Sequence, residues 1–267
     1  MYSRWFARSE IEPGTIIQLK RHQWVILQTI NEHESQTSPE DLVYNPGPSS
    51  TCTLLRCQRV GPYCPVQGYM RIYKQIPIAG TEVEPARTRA QQAGFCCPRE
   101  LEALRVLTKK QKTSPITPRL LDTKEDKQDD TGVVPGGFVT WIVWEVVPGV
   151  RLGDPCGAPE FWAMDSSERN AMREKFKEGI MKLYRWGYYP LHGNGRNLVW
   201  HADTSTLSLT DLNHNYMYFV GFLLAGRFKG NPVWSPGIWA AWDLARPPEG
   251  CHYYLPRWDK STEGWEW

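Results

Sequence analysis

The sequence predicts an α+β protein of two lobes, a strand-rich N-terminal lobe over residues 1–147 and a mainly helical C-terminal lobe over residues 148–267. Two observations support this prediction. Short segments with strand-like alternation come first along the chain, and a long amphipathic helix pattern follows the turn signal Pro148-Gly149. A length of 267 residues is enough for two lobes that share a cleft.

The N-terminal patterns predict a hairpin, a further strand and a helix. The hairpin covers residues 15–19 and 23–30. Alternation then predicts a strand over residues 68–76. Its two faces carry Met70, Ile72 and Lys74 on one side and Tyr69, Arg71 and Tyr73 on the other. Pro98 suits the first turn of a helix that ends at Lys110.

The residue patterns in the middle of the chain predict a loop, a strand and a second helix. Residues 123–131 (TKEDKQDDT) are predicted to be a solvated charged loop, and residues 138–147 a buried strand that leads into the hinge. Asp165 is a candidate N-cap for a helix that runs to about Arg185. Its buried face is predicted from Met172, Phe176, Ile180 and Leu183.

Composition narrows the class of protein. The 41% hydrophobic and 22% charged residues are typical of a globular protein, and the 13 Trp predict aromatic pockets or aromatic packing in the core. A net charge of +2 provides no global field for a polyanion, so any contact with nucleic acid has to be local. The seven Cys form no paired C-x-x-C motif and the N-terminus has no apolar leader, which together predict a cytoplasmic protein without disulfides or structural zinc. No apolar run reaches the ~18 residues of a membrane span.

Residues 187–211 (GYYPLHGNGRNLVWHADTSTLSLTD) keep the spacing of a kinase-type catalytic loop without its central acid. On the pattern H-G-D-x-x-x-x-N, Pro190 takes the His position and His192 the Asp position. Asn197 and Asp211 then take the two positions that face the metal. In phosphoryl transfer the loop Asp orients the attacking hydroxyl, and the other two side chains hold magnesium. We therefore expect the segment to keep the frame of the loop without robust kinase chemistry.

The order of the predicted elements around this loop resembles the kinase-like, or aminoglycoside-phosphotransferase-like, fold over residues 68–222. The resemblance implies a cation on the strand at 68–76 that pairs with a Glu on the next helix. Arg71 or Lys74 is a candidate for the cation, and Glu100 or Glu102 for its partner. No glycine-rich phosphate loop precedes that strand.

The metal-side acid has two possible alignments. Asp211 is favoured because its separation from Asn197 fits the family spacing. Residues 216–222 (YMYFVGF) are an equally good strand, however, and if that strand leads to the metal position, Gly221 replaces the acid and no metal site exists.

Three motifs around the predicted hinge carry a second resemblance. VPGGF at residues 134–138, WEVVPG at 144–149 and RLGD at 151–154 are similar to a group of fungal proteins, and within it to the fungal arginine-containing cyclodipeptide synthases. That resemblance implies an aminoacyltransferase of fungal secondary metabolism, which joins two aminoacyl-tRNAs, arginyl-tRNA among them, into a diketopiperazine. It implies no cofactor, no metal, no membrane and no protein partner.

The implied reaction assigns roles to residues. Bond formation needs a base for the attacking amine and donors for the oxyanion, and His192 can serve as the base beside the glycine N–H groups that follow it. Asn197 and Asp211 complete the catalytic set. An arginine substrate needs a carboxylate, for which Glu145, Asp154 and Asp211 are candidates. Glu145 can instead point outward from its strand, and Asp154 can be a turn or cap residue.

The remaining candidates complete two sets. The substrate-binding set consists of Glu145, Asp154, Arg71, Glu100, Trp144 and Arg196. The tRNA-binding set is a small basic group formed by Lys109, Lys110, Lys112, Arg99 and Arg105, which can also be a solvated helix end.

Two other functions remain open. A small-molecule phosphotransferase would use ATP and magnesium at Asn197 and Asp211, with His192 as the base. A pseudokinase-like binding module would need no catalysis, and the altered loop and the missing glycine-rich segment suit it.

Overall fold

The computed structural model describes residues 5–44, 47–62, 65–112, 115–202 and 215–267. The protein has an α+β architecture and divides into two compact units. The first unit consists of Met1–Leu101 and Arg119–Val146, and the second of Glu102–Pro118 and Val147–Trp267. Each unit has a buried apolar cluster of its own.

The first unit is built on a six-stranded sheet. Its strands are β1 (Ile16–Gln18), β2 (Gln23–Ser35), β3 (Ser50–Arg59), β4 (Gln67–Gln75), β5 (Leu120–Lys127) and β6 (Phe138–Glu145). They pair antiparallel in the order β1-β2-β3-β4-β6-β5. Register shifts between β2 and β3 mark bulges, which bend the long strand β2 and let the sheet curl.

Helices are few in the first unit. They are α1 (Arg8–Ile11), α2 (Ala86–Ala90) and the beginning of α3 (Arg99–Lys110), whose residues from Glu102 onward belong to the second unit. A 3-10 turn covers Asp41–Val43.

One face of the sheet carries the core of the first unit. Met70 and Ile72 of β4 are buried there with Leu55 and Val143, as the alternation of β4 predicts. Lys74, the third residue on that side of β4, donates hydrogen bonds to the carboxylate of Glu10 at 2.9 Å. Arg71 therefore lies on the opposite side of β4, together with Tyr69 and Tyr73.

The charged run at 123–131 was expected to be a loop, but its first half is a strand. β5 extends to Lys127 and pairs with β6, for example Lys124 with Trp141. Because β5 is an edge strand, its charged side chains can reach solvent while its backbone pairs on one side.

The second unit combines one long helix with short strands. Its helices, after the end of α3, are α4 (Pro159–Trp162), α5 (Ser166–Trp186) and α6 (Gly237–Ala241). Its strands are β7 (Val150–Arg151), β8 (Tyr188–Pro190), β9 (Leu198–His201), β10 (Tyr216–Phe219) and β11 (Ala225–Arg227). They form a three-stranded sheet in the order β10-β9-β7 and a two-stranded pair β11-β8.

Helix α5 begins and ends where its sequence predicts. The Asp165 side chain accepts a hydrogen bond from the Glu168 N–H at 2.9 Å, and Gly187 ends the helix in the left-handed region at φ 88°. Its buried face packs into the core of the second unit, where the rings of Phe176, Phe219 and Trp242 lie 5.2–5.7 Å apart. In the part of the chain that the structure describes, no helix has both the length and the apolar character to cross a membrane.

Candidate functional site

A buried ion pair joins β4 to α3 in the first unit. Because β4 alternates, Arg71 lies on the side opposite the Met70 core, where its Nη1 contacts Glu100 Oε1 at 2.5 Å. The side chains are only 8% and 3% exposed. Of the four residues that the sequence proposed for this pair, the structure thus brings together Arg71 and Glu100.

The surroundings of Arg71 hold its guanidinium in place. The Tyr73 hydroxyl donates to Glu100 Oε2 at 2.8 Å, and the guanidinium carbon lies 5.2 Å from the centre of the Trp144 ring. The Arg71 Nε is buried and makes no hydrogen bond within the described residues. This N–H donor of the guanidinium is therefore both unpartnered within the described residues and closed to solvent.

Electrostatics in this cluster favour a charged arginine. Burial is the largest single influence and disfavours the cation, but Glu100, Tyr73 and Cys52 together outweigh it, so the pKa of Arg71 is raised. Burial, and then the charge of Glu100, raise the pKa of Tyr73 well above its usual value. The cluster therefore consists of a cation, an anion and a neutral phenol.

The other two candidates for the pair have different partners. Lys74 is bound to Glu10 and to the Trp5 carbonyl oxygen on the core side of the sheet. Glu102 pairs with Arg227 at 2.7 Å within the second unit. Both residues are part of the structural framework.

The catalytic-type loop follows β8 in the second unit. His192 is exposed and has a positive φ of 54°, which is uncommon for a residue other than glycine. Gly193 lies against the buried Trp242 ring so closely that a Cβ would overlap it. This contact fixes the backbone that presents His192 to solvent.

Asn197 ends this loop and faces the far end of the β9-β10 hairpin. The register pairs Leu198 with Phe219, and the Val220 N–H donates to the Asn197 carbonyl oxygen at 2.8 Å. Gly221 follows with φ 84°, and a Cβ on it would overlap the Asn197 side-chain amide. The residue that lies against the Asn197 amide is therefore a glycine, which has no side-chain ligand to offer.

Asp211 lies outside the described residues. Its proposed separation from Asn197 on one hairpin stays a prediction for that reason. Within the described residues, no group of three or more His, Cys, Asp or Glu side chains is arranged to hold a metal ion.

The candidate carboxylates for a guanidinium substrate bind the backbone. Glu145 Oε1 accepts the Arg119 N–H at 3.0 Å, and burial raises the pKa of this carboxyl although that hydrogen bond lowers it. Asp154 lies in an exposed turn, where Oδ1 accepts the Cys156 N–H at 2.7 Å. Neither carboxylate pairs with a basic side chain of the described chain.

The basic candidates are on the surface. Arg196 is exposed, and its carbonyl oxygen accepts from Arg151 Nη1 at 3.0 Å. The exposed members of the proposed tRNA-binding set are Arg99, Lys109, Lys110 and Lys112, while Arg105 is half-buried.

Two residues of these sites had no functional role in the sequence interpretation. Tyr73 could have been found, because it shares the alternating face of Arg71 on β4. Trp242 has no such signal, because its contact with Gly193 joins segments about fifty residues apart and depends on the tertiary fold.

Comparisons with known proteins find a likeness in structure and none in sequence. No protein-family model matches the chain, and no curated protein matches it in sequence. Among solved structures, the chain is similar to one described as "WaaP in complex with acyl carrier protein". The two chains are 14% identical, the match covers 75% of each, and the TM-score is 0.42.

Proposed function

We propose that the chain is a kinase-like binding protein that does not perform magnesium-dependent phosphoryl transfer. The observation that carries this proposal is the contact between Gly221 and the Asn197 amide. A kinase needs a carboxylate next to that Asn to hold the metal on the phosphates, and glycine has none.

Two further residues support the loss of phosphoryl transfer. His192 stands where a kinase has the Asp that orients the attacking hydroxyl, and an imidazole has no fixed negative charge for that role. Arg71 stands where a kinase has its Lys, and a guanidinium is a planar fork of donors in place of a point charge.

The kinase-like assignment itself rests on internal geometry. The β4 cation and the α3 Glu are paired, α3 lies between β4 and β5 along the chain, and a hairpin follows the catalytic-type loop. A largely helical C-terminal lobe and a cytoplasmic location remain part of the proposal.

Binding is assigned to the Arg71 cluster. Glu100 and Trp144 hold the guanidinium, so little side-chain entropy would be lost when its unpartnered Nε–H donates to a ligand, although this N–H is buried and the neighbouring side chains have to move before a ligand reaches it. An anionic group is the partner that this donor fits, because charge-assisted hydrogen bonds are the stronger ones.

Manganese binding separates this proposal from an active phosphotransferase. We expect electron paramagnetic resonance to detect only the Mn²⁺–ATP complex free in solution and none bound to the parent, because Gly221 supplies no carboxylate beside Asn197. Mn²⁺ binding by the parent that Asp211→Asn abolishes would show that Asp211 is the metal ligand, and the proposal would then be wrong.

A second candidate function is tRNA-dependent synthesis of an arginine-containing cyclic dipeptide. The observation in its favour is the exposed imidazole of His192 on a left-handed backbone, because such strained positions cluster at active sites. His192 would take the proton from the amine that attacks the ester carbonyl and would pass it to the tRNA hydroxyl that leaves as the ester bond breaks. No ATP or metal would be needed, since the aminoacyl ester is already activated.

Mass spectrometry of cells that express the chain tests this second function. The second function predicts arginine-containing cyclic dipeptides from the parent and none from His192→Asn, which keeps a residue that tolerates the positive φ. Loss of this product in one of three further variants then identifies the carboxylate that binds the guanidinium. The variants are Glu145→Ala, Asp154→Ala and Asp211→Asn. If the parent makes no such product, the synthase function is excluded.

A further inference from the structure

A groove lies along one side of α5 in the second unit. We call it the α5 groove, a cavity of ≈ 570 Å³ whose lining includes Lys177, Lys182, Arg185, Tyr216 and Trp234. This volume is in the range of sites that take one small molecule, ~300–1,000 Å³. The residues come from one helix, one strand and the segment before α6, so regular elements hold most of its walls.

The charges of the α5 groove are unbalanced. Four basic and two acidic side chains line it, and one of each, Lys175 and Glu178, form an ion pair at 3.5 Å. Within the described parts of the chain, Lys177, Lys182 and Arg185 pair with no carboxylate. Among the described lining residues, Glu174 is the one carboxylate left, so this part of the lining has a net positive charge.

An aromatic ring lies beside these cations. The Lys177 ammonium lies 5.4 Å from the centre of the Trp234 ring, and Trp239 meets that ring edge to face at 4.8 Å. The contact with Trp239 holds the Trp234 indole in place while it still lines the groove. A planar group that enters the groove can therefore stack on the Trp234 ring once the Lys177 ammonium moves from the ring to a phosphate.

We propose that the α5 groove binds a nucleotide unit. Its phosphate would contact Lys177, Lys182 and Arg185, and its base would stack on Trp234. A nucleotide combines the two features that this lining recognises, several negative charges and a flat ring, and base stacking on an aromatic side chain tolerates any base. The unit can come from a free nucleotide or from a single strand, and this inference is independent of the function proposed above.

Binding measurements with matched variants test the proposal. The probes are AMP, measured by calorimetry, and a fluorescein-labelled single strand of about ten nucleotides, within the usual range of single-strand sites, measured by anisotropy. The groove variant is Lys177→Gln/Lys182→Gln/Arg185→Gln. The control variant, Lys20→Gln/Lys229→Gln/Arg257→Gln, removes the same charge from three exposed positions outside the groove.

We expect the parent to bind one or both probes, with affinity that falls as salt rises. The groove variant should weaken binding about tenfold or more, and the control variant less than about twofold, because only the first loses direct phosphate contacts. Binding of AMP alone identifies a free nucleotide as the ligand, and binding of the strand alone identifies a nucleic acid.

Any one of three outcomes would overturn the proposal. The first is that the parent binds neither probe, and the second is that the groove variant and the control variant lose equal affinity. The third is that inorganic phosphate competes for the groove as well as AMP does. A Trp234→Leu variant checks the last point separately, because it should weaken AMP while it leaves the weak binding of inorganic phosphate unchanged.

Discussion

At the scale of single residues, burial makes the Arg71–Glu100 pair important for stability. Each charge would be expensive in the interior without the other, and the Trp144 ring and the Tyr73 hydroxyl complete their environment. The Arg71 Nε is buried without a partner in the described residues. If the binding role proposed above is correct, stability and ligand affinity depend on the same side chain.

Substitution of Glu100 tests this coupling. Glu100→Gln leaves the buried guanidinium without its counter-charge, and we expect it to lower the free energy of unfolding by about 3–5 kcal/mol. Glu102→Gln is the matched control on the same helix, where the partner Arg227 is exposed and only a much smaller change is expected. Urea denaturation measures both. Equal losses would show that the Arg71–Glu100 pair has no special weight.

Glu145 provides a pH-dependent prediction. Its folded pKa is raised above the reference value of 4.5 by burial, so the unfolded chain ionises first as pH rises. Ionised Glu145 therefore destabilises the fold above that value, and Glu145→Gln should be more stable than the parent at neutral pH, with the difference disappearing below pH 4.5. Thermal unfolding across this pH range measures the difference. A variant less stable than the parent at neutral pH would contradict the prediction.

At the scale of elements, segments with a regular residue pattern were predictable and a charged strand was not. The two faces of β4 and the buried face of α5 follow from residue periodicity, and the start of α5 follows from the capping residue Asp165. β5 has a run of charged residues that resembles a loop, and only its place at the sheet edge allows it to pair. Sequence therefore shows which side of an element is buried, but it does not show where the element lies in a sheet.

The same limit applies to the candidate site. The spacing of the loop led to His192 and Asn197. The sequence also offered Gly221 as an alternative to Asp211, but the contact of Gly221 with Asn197 depends on where the β9-β10 hairpin returns. Such a contact between distant segments has no local signal.

Because the hairpin approaches Asn197 closely, replacement of Gly221 by any residue with a side chain should destabilise the fold. Gly221→Ala adds a Cβ that overlaps the Asn197 amide on top of a strained backbone. Gly250→Ala is the control, because Gly250 has a similar φ of 80° and open space around its Cβ position. We expect Gly221→Ala to be less stable than this control by about 1–3 kcal/mol in urea denaturation.

A double substitution separates overlap from backbone strain. Adding Asn197→Ala removes the amide, so Asn197→Ala/Gly221→Ala should show a favourable coupling in a double-mutant cycle. If the two effects are simply additive, the close contact between Gly221 and Asn197 is not the cause of the loss.

At the scale of the whole molecule, the division of the chain into two compact units follows its two buried apolar clusters. Residues Ala103, Leu107 and Ile116 pack into the core of the second unit, so the segment from Glu102 to Pro118 groups with it although the sheet of the first unit resumes afterwards. The sequence predicted the apolar side of this helix but not the core that it would join.

The most direct test of the central claim is a calorimetric titration of the parent with ATP, with and without Mg²⁺. We expect either no binding in both titrations or the same affinity in both, because Gly221 supplies no carboxylate beside Asn197. An affinity that rises about tenfold or more with Mg²⁺ would contradict it, since such a rise requires a metal held between the protein and the phosphates.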